Sequence, residues 1–267
     1  VFGNKKKYYF LSGLPRSGNT LLGSILNQNK QIAVTANSPV AGIFYGVENY
    51  KNDAILQNFQ DHGSLDNVNN NLLLNYYSNW KEKYIIDRGP WGTPHNLSLL
   101  KKHCPNEIKI VVLVRNLYEI FASYLRWAEL NPGNFLDSYE TKEEKCDHLM
   151  TENGLLMKQL QSLDNLLTAE NKDHYLIVKY NDLVEDTSTK VKEIYEFLNI
   201  PFYKHSFENL KQFKCNGLKY NDECLGLNLH RVRKSISKDD YDISEYVPIS
   251  TMEKYVKYHS HFLNGWW

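Results

Sequence analysis

Eight residues, Gly13-Leu14-Pro15-Arg16-Ser17-Gly18-Asn19-Thr20, separate an apolar β-like run from a stretch with helical pattern. A glycine-bounded loop in that position turns backbone N–H groups toward one point. The helix N-terminus behind it adds partial positive charge, so the expected chemistry is the holding of a phosphate-like anion. The spacing matches the GxxxxG[K][ST] nucleotide loop except at Asn19, which stands where a lysine would reach the β- and γ-phosphates. The positive charge falls instead to Arg16. Arg88 follows YIID, Arg115 follows IKIVVLV with Ser123 two helical turns further on, and Tyr180 follows YLIVK. Arginine occurs only at positions 16, 88, 115, 126, 231 and 233, so its placement at strand ends carries information. The composite predicts that two separate anionic groups are held, with Tyr180 able to stack on a base. Each residue also has a plain reading: a tight turn, an arginine paired with Asp87, a small helix-packing serine, a ring filling the sheet edge.

The elements that must position these residues follow from periodicity. Four short, nearly continuous apolar runs, Tyr8–Ser12, Tyr84–Asp87, Ile108–Val114 and Tyr175–Lys179, predict strands buried on both faces. Helical patterns cover Ser17–Asn27, Asn67–Trp80, Asn116–Leu130, a long amphipathic stretch from Lys142 to Ala169, Leu183–Leu198 and Thr251–Phe262. Strands alternating with helices predict an α/β fold with a mostly parallel central sheet flanked by helices. Such sheets bind ligands beyond the carboxyl ends of their strands, where the loop and the three arginines fall. No repeat or low-complexity linker interrupts the pattern, and the 267 residues are expected to form a single domain.

Composition narrows the classes further. Hydrophobic residues make up 42% of the chain and charged residues 23%, which supports a packed core. Thirty-one basic residues balance 31 acidic ones, which speaks against a nucleic-acid partner while leaving room for a local basic pocket. No apolar run is long enough to span a membrane, and the first ten residues lack a signal-peptide pattern, so a cytoplasmic location is expected. Cys104, Cys146, Cys215 and Cys224 form no CxxC pair, so neither a metal site nor a redox dithiol is predicted. Cys215 and Cys224 can bridge a loop in an oxidising compartment or stand as idle thiols.

Three segments carry a family resemblance: PRSGNTLL after the first strand, VVLVRNLYEIFASYL, and YLIVKYNDLVEDTSTKVKEIYEFLNIPF. They resemble the sulfotransferases that use 3′-phosphoadenosine 5′-phosphosulfate (PAPS), over about residues 8–200 and in the family's order. The resemblance is to the bacterial, tyrosylprotein and carbohydrate branch more than to cytosolic phenol sulfotransferases. It implies a P-loop-like three-layer fold, PAPS as donor, 3′,5′-adenosine bisphosphate as product and no metal requirement. By the same resemblance Arg16, Ser17, Gly18, Asn19 and Thr20 hold the 5′-phosphosulfate. Arg115 and Ser123 hold the 3′-phosphate, and Tyr180 lies near the adenine. His230-Arg231-Val232-Arg233-Lys234-Ser235 looks like the family's basic loop over the 3′-phosphate, with Arg231, Arg233 and Lys234 as its cations.

Sulfuryl transfer needs cations on the transferred and leaving groups, and often a base for the acceptor. Arg16 matches the family's loop cation. Arg88 stands where the tyrosine-sulfating branch carries a lysine. The family's base markers are absent: the chain reads DRGPW in place of the small-molecule branch's histidine segment, and Asn37 replaces the tyrosine-sulfating branch's glutamate. Glu48 is the first candidate base and His95 the second. Asp87, beside Arg88, is expected to be held too acidic for the task. An aromatic-rich insert (Phe44, Tyr45, Tyr50, Phe59, Tyr76, Tyr77, Trp80) walls an acceptor pocket or packs a core. The acceptor remains open among a saccharide, a small metabolite and a peptide. Two other readings compete: a P-loop kinase of a small metabolite, and an inactive nucleotide-binding homologue.

Overall fold

Alternating side chains send the first strand into two layers at once. Along β1 (Lys7–Gly13), Tyr8 and Phe10 enter one core cluster while Tyr9 and Leu11 enter the other, as a strand covered on both faces must. The computed structural model describes residues 6–212, 214–219, 230–238 and 242–265. Within them β1 pairs in parallel with β3 (Tyr84–Arg88) and β4 (Ile110–Val114). Beyond these lie β2 (Ile32–Val34) and β5 (Tyr175–Lys179), giving the order β2-β3-β1-β4-β5. The four predicted strands are present. Strand β2 was not anticipated, since three residues are too few to show a period.

The helices, in chain order, are α1 (Asn19–Leu26), α2 (Val40–Asn49), α3 (Ala54–Asn58), α4 (His62–Tyr76) and α5 (Pro94–His103). They continue as α6 (Leu117–Leu130), α7 (Lys142–Leu149), α8 (Leu155–Leu166), α9 (Tyr180–Glu185) and α10 (Thr187–Leu198). Three short ones follow, α11 (Ile243–Tyr246), α12 (Ile249–Lys254) and α13 (Val256–Gly265). Buried residues of α2 and of α4 through α8 cover one face of the sheet, and those of α1, α9 and α10 cover the other. The result is a three-layer α/β architecture. A hairpin of β6 (Lys214–Cys215) and β7 (Leu218–Lys219) turns at Asn216-Gly217, both at positive φ, as a two-residue hairpin turn demands.

Helices α2 and α5 were missed: glycines interrupt the first, and the second is only ten residues long, although Thr93-Pro94 is a helix-start signal. The long amphipathic stretch divides into α7 and α8. Cys215 carries a free thiol, and Cys224, its candidate partner, lies outside the described residues. The helix of Thr251–Phe262 divides into α12 and α13 at Tyr255.

Gly13 fixes how the central strands end. Its φ is +129°, and a Cβ there would lie 2.1 Å from the carbonyl oxygen of Leu113, so no larger residue fits between β1 and β4. Beyond it, the Leu14 N–H donates to the same oxygen at 2.9 Å. The chain between β1 and α1 therefore leaves the sheet at the carboxyl end of its middle strand.

Candidate functional site

A cavity of about 680 Å³ opens at that point. Its walls come from the β1–α1 loop, the end of β3, the residue after β4, α6, the start of α9 and the segment 230–237.

The loop is held from inside. Ser17 is fully buried, and its hydroxyl donates to the carbonyl oxygens of Leu14 and Leu113. Asn19 Nδ2 donates to Leu14 O at 2.9 Å and to Ser17 Oγ at 3.3 Å. Ser17 is thus a brace, and it is not among the lining residues, whereas Arg16, Gly18, Asn19 and Thr20 are. Gly18, left-handed at φ 90°, caps α1 without a side chain, so the first-turn N–H groups of α1 are left for a ligand.

Arg16 is also left-handed, at φ 59°. For a non-glycine residue this costs about 1 kcal/mol, and its carbonyl is held by Arg115, whose Nη1–H donates to it at 3.0 Å. The Arg16 Nε–H donates to Ser123 Oγ at 3.0 Å, and its guanidinium lies 6.0 Å from the Tyr124 ring centre. Arg115, 5% exposed, pairs with Glu119 at 2.9 Å and lies 4.0 Å over the Tyr180 ring. Arg88 is anchored through Nη1–H to Ala36 O at 2.9 Å, and its backbone N–H donates to Thr35 Oγ1 at 2.7 Å.

The basic segment closes the far side. The N–H of Leu210 donates to Lys234 O at 2.8 Å, and that of Val232 to Gln212 Oε1 at 3.0 Å. Val232 and Ile236 pack on the core layer of α1 and α10, which aims Arg231, Arg233 and Lys234 along the cavity wall. The five arginines and one lysine of the lining are accompanied by no carboxylate among the described residues. A polyanion is the ligand such a cavity suits.

Glu48 and His95 are not brought to this cluster. Glu48 pairs with Lys51 at 2.8 Å, and His95 is exposed at the start of α5 with its ring against Tyr45. Glu48, Asp66 and His103 place three metal-capable atoms within 4.8 Å of one another. Lys51 Nζ, 2.6 Å from Asp66, already supplies the positive charge there. Asp87 reverses the expectation of an acidic carboxyl held low by Arg88. It is fully buried, burial pushes its pKa up, and its oxygens accept from Tyr77 Oη and from Trp91 Nε1 at 2.9 Å. Of the aromatic insert, Phe44 and Tyr77 are core residues and Tyr45, Tyr50 and Phe59 are exposed, and none lines the cavity. Tyr124, not anticipated from the sequence, also lines the cavity, as does His230 at the head of the expected basic loop. Adjacency to Ser123 was the available signal for Tyr124.

The family model described as Sulfotransferase domain matches residues 6–242. No curated protein sequence matches the chain. Solved sulfotransferase structures share its fold. The sulfotransferase domain from the curacin biosynthetic pathway is 14% identical at TM-score 0.55, covering 95% of this chain and 97% of that one. The sulfotransferase domain of the Synechococcus PCC 7002 olefin synthase is 15% identical at TM-score 0.55, covering 98% and 97%. A mouse sulfotransferase solved in complex with PAP is 16% identical at TM-score 0.58, covering 94% and 82%.

Proposed function

The chain belongs to the sulfotransferase domain family, and from that membership we propose that it moves a sulfuryl group from PAPS to an acceptor hydroxyl or amine, the whole chain serving as one domain. The observation that carries the reading is the cavity at the carboxyl ends of β1 and β4, lined by six cations and no carboxylate among the described residues. PAPS has two anionic ends, and the lining offers a place for each. The N-terminus of α1, Arg16 and Arg88 suit the phosphosulfate. Arg115, Ser123 and the cations of 231–234 suit the 3′-phosphate. Tyr180, already stacked under Arg115, suits the adenine.

In this reading the acceptor oxygen forms a bond to sulfur while the bond from sulfur to the phosphate oxygen breaks. The electron pair stays on the phosphate. Arg16 meets that growing charge from within the loop, and its guanidinium is pre-aimed by the bond to Ser123. Arg88, fixed by Ala36 and Thr35, steadies the transferred group. The loop's missing lysine, and an arginine rather than an aspartate after β4, leave a magnesium nucleotide without its usual partners. Saccharides, small metabolites and peptides remain the acceptor classes, and the site is proposed to work without a metal and without nucleic-acid partners.

Calorimetric titration with 3′,5′-adenosine bisphosphate, beside ATP with Mg²⁺, tests this. The bisphosphate is expected to bind with Kd of about 1 µM or below, and Arg115→Ala and Ser123→Ala are each expected to weaken it. Binding of ATP–Mg²⁺ without the bisphosphate would overturn the reading in favour of a kinase. Turnover of PAPS with an acceptor separates an enzyme from an inactive binder.

A further inference from the structure

Tyr124 follows Ser123 on α6 and is 3% exposed, yet it lines the cavity that Arg16 and Arg88 enter. Its ring is fixed from behind by edge contacts to Trp127 and Phe135, at 6.5 and 6.4 Å between centroids. From the front, the Arg16 guanidinium lies 6.0 Å from the ring centre. An aromatic wall on one side and a cation on the other leave the ring little freedom. Among the described residues none shares a hydrogen bond with its hydroxyl. A phenol so placed needs a partner, and an oxygen-rich ligand in the cavity supplies one.

We propose that the Tyr124 hydroxyl is a donor to the sulfuryl oxygens of the bound PAPS, acting beside Arg16 and Arg88 to hold the sulfur in line with the acceptor. The proposal rests on the sulfotransferase reading above. Burial raises the phenol's pKa against the opposing pull of Arg16 and Arg88. The group therefore keeps its proton near neutral pH and serves as a donor rather than a base. It gains and loses no proton during transfer, and the acceptor's proton leaves to water. Orientation of the sulfuryl group is the contribution, and a fixed ring delivers it without reorganisation.

The test compares two nucleotides that differ only in the sulfuryl group. In Tyr124→Phe the ring packing survives and only the hydroxyl is lost. PAPS, titrated without an acceptor, is expected to bind about tenfold more weakly to the variant. Binding of 3′,5′-adenosine bisphosphate should stay within about twofold, since that ligand offers the hydroxyl nothing to meet. The unfolding midpoint, measured alongside, should move little. Equal weakening of both nucleotides, or of neither, would overturn the role of Tyr124 and leave the donor site standing. Failure of the unmodified protein to bind the bisphosphate would instead overturn the sulfotransferase reading, and this proposal with it.

Discussion

Asn19 occupies the position from which a nucleotide-hydrolysing loop reaches toward phosphate, and its side chain turns the other way. Its amide donates back to Leu14 O and Ser17 Oγ, while Ser17 ties the loop to Leu113. The pair replaces a mobile cation with a stiff scaffold, on which Arg16 can be kept in a left-handed conformation. Removing this buried donor leaves Leu14 O with the Ser17 hydroxyl alone and takes away the brace on Ser17 Oγ. Asn19→Ala is expected to lower the unfolding free energy by about 1–2 kcal/mol, read from urea denaturation, and to weaken bisphosphate binding because the loop N–H groups lose their fixed direction. Asp87 illustrates the same principle. Its neighbour in sequence is an arginine, but its neighbours in space are Tyr77 and Trp91. Burial sets its acidity.

Helices α7 and α8 show how one amphipathic pattern becomes two elements. Thr141 and Glu144 form a reciprocal capping box at the start of α7, which fixes where that helix begins. Its end is fixed by Gly154, the N-cap of α8. A Cβ on Gly154 would fall 2.4 Å from Leu149 O and 2.6 Å from His148 O. The chain therefore packs backbone against backbone at the corner. Buried apolar positions of α7 and α8, including Leu149, Leu156, Leu160 and Leu163, share one core, so their spacing reads as a single stripe even though the axis bends. Gly154→Ala is expected to destabilise the protein by about 1–3 kcal/mol through overpacking. Thermal or urea unfolding measures that loss, and bisphosphate affinity should be little changed, since Gly154 is not a lining residue.

For the molecule as a whole, charge is neutral in sum and uneven in place. The chain carries net charge 0, yet six cations meet in one cavity without a carboxylate among the described lining residues. A polyanion drawn there by that local field should be released by salt, and bisphosphate affinity is expected to fall by roughly tenfold between about 0.05 and 0.5 M NaCl. A salt-independent affinity would mean that stacking and hydrogen bonding carry the binding instead. No helix among the described residues is long and apolar enough to cross a membrane. By itself the sequence determined the four main strands, the alternation that makes the sheet parallel, and the end of the sheet where Arg16, Arg88 and Arg115 fall. Those features are local: apolar period, a glycine-bounded loop and strand–helix order are written in adjacent residues. Tertiary structure alone decided the rest. The three-residue β2 exists because β3 offers it a partner, and Ser17 faces inward because Leu113 approaches from β4. Lys51 gathers Glu48 and Asp66 of α4 around itself, and Tyr124 lies beside Arg16 of the β1–α1 loop and Arg88 of β3 in the cavity wall. Each depends on contacts between distant parts of the chain, which no period or motif in the sequence records.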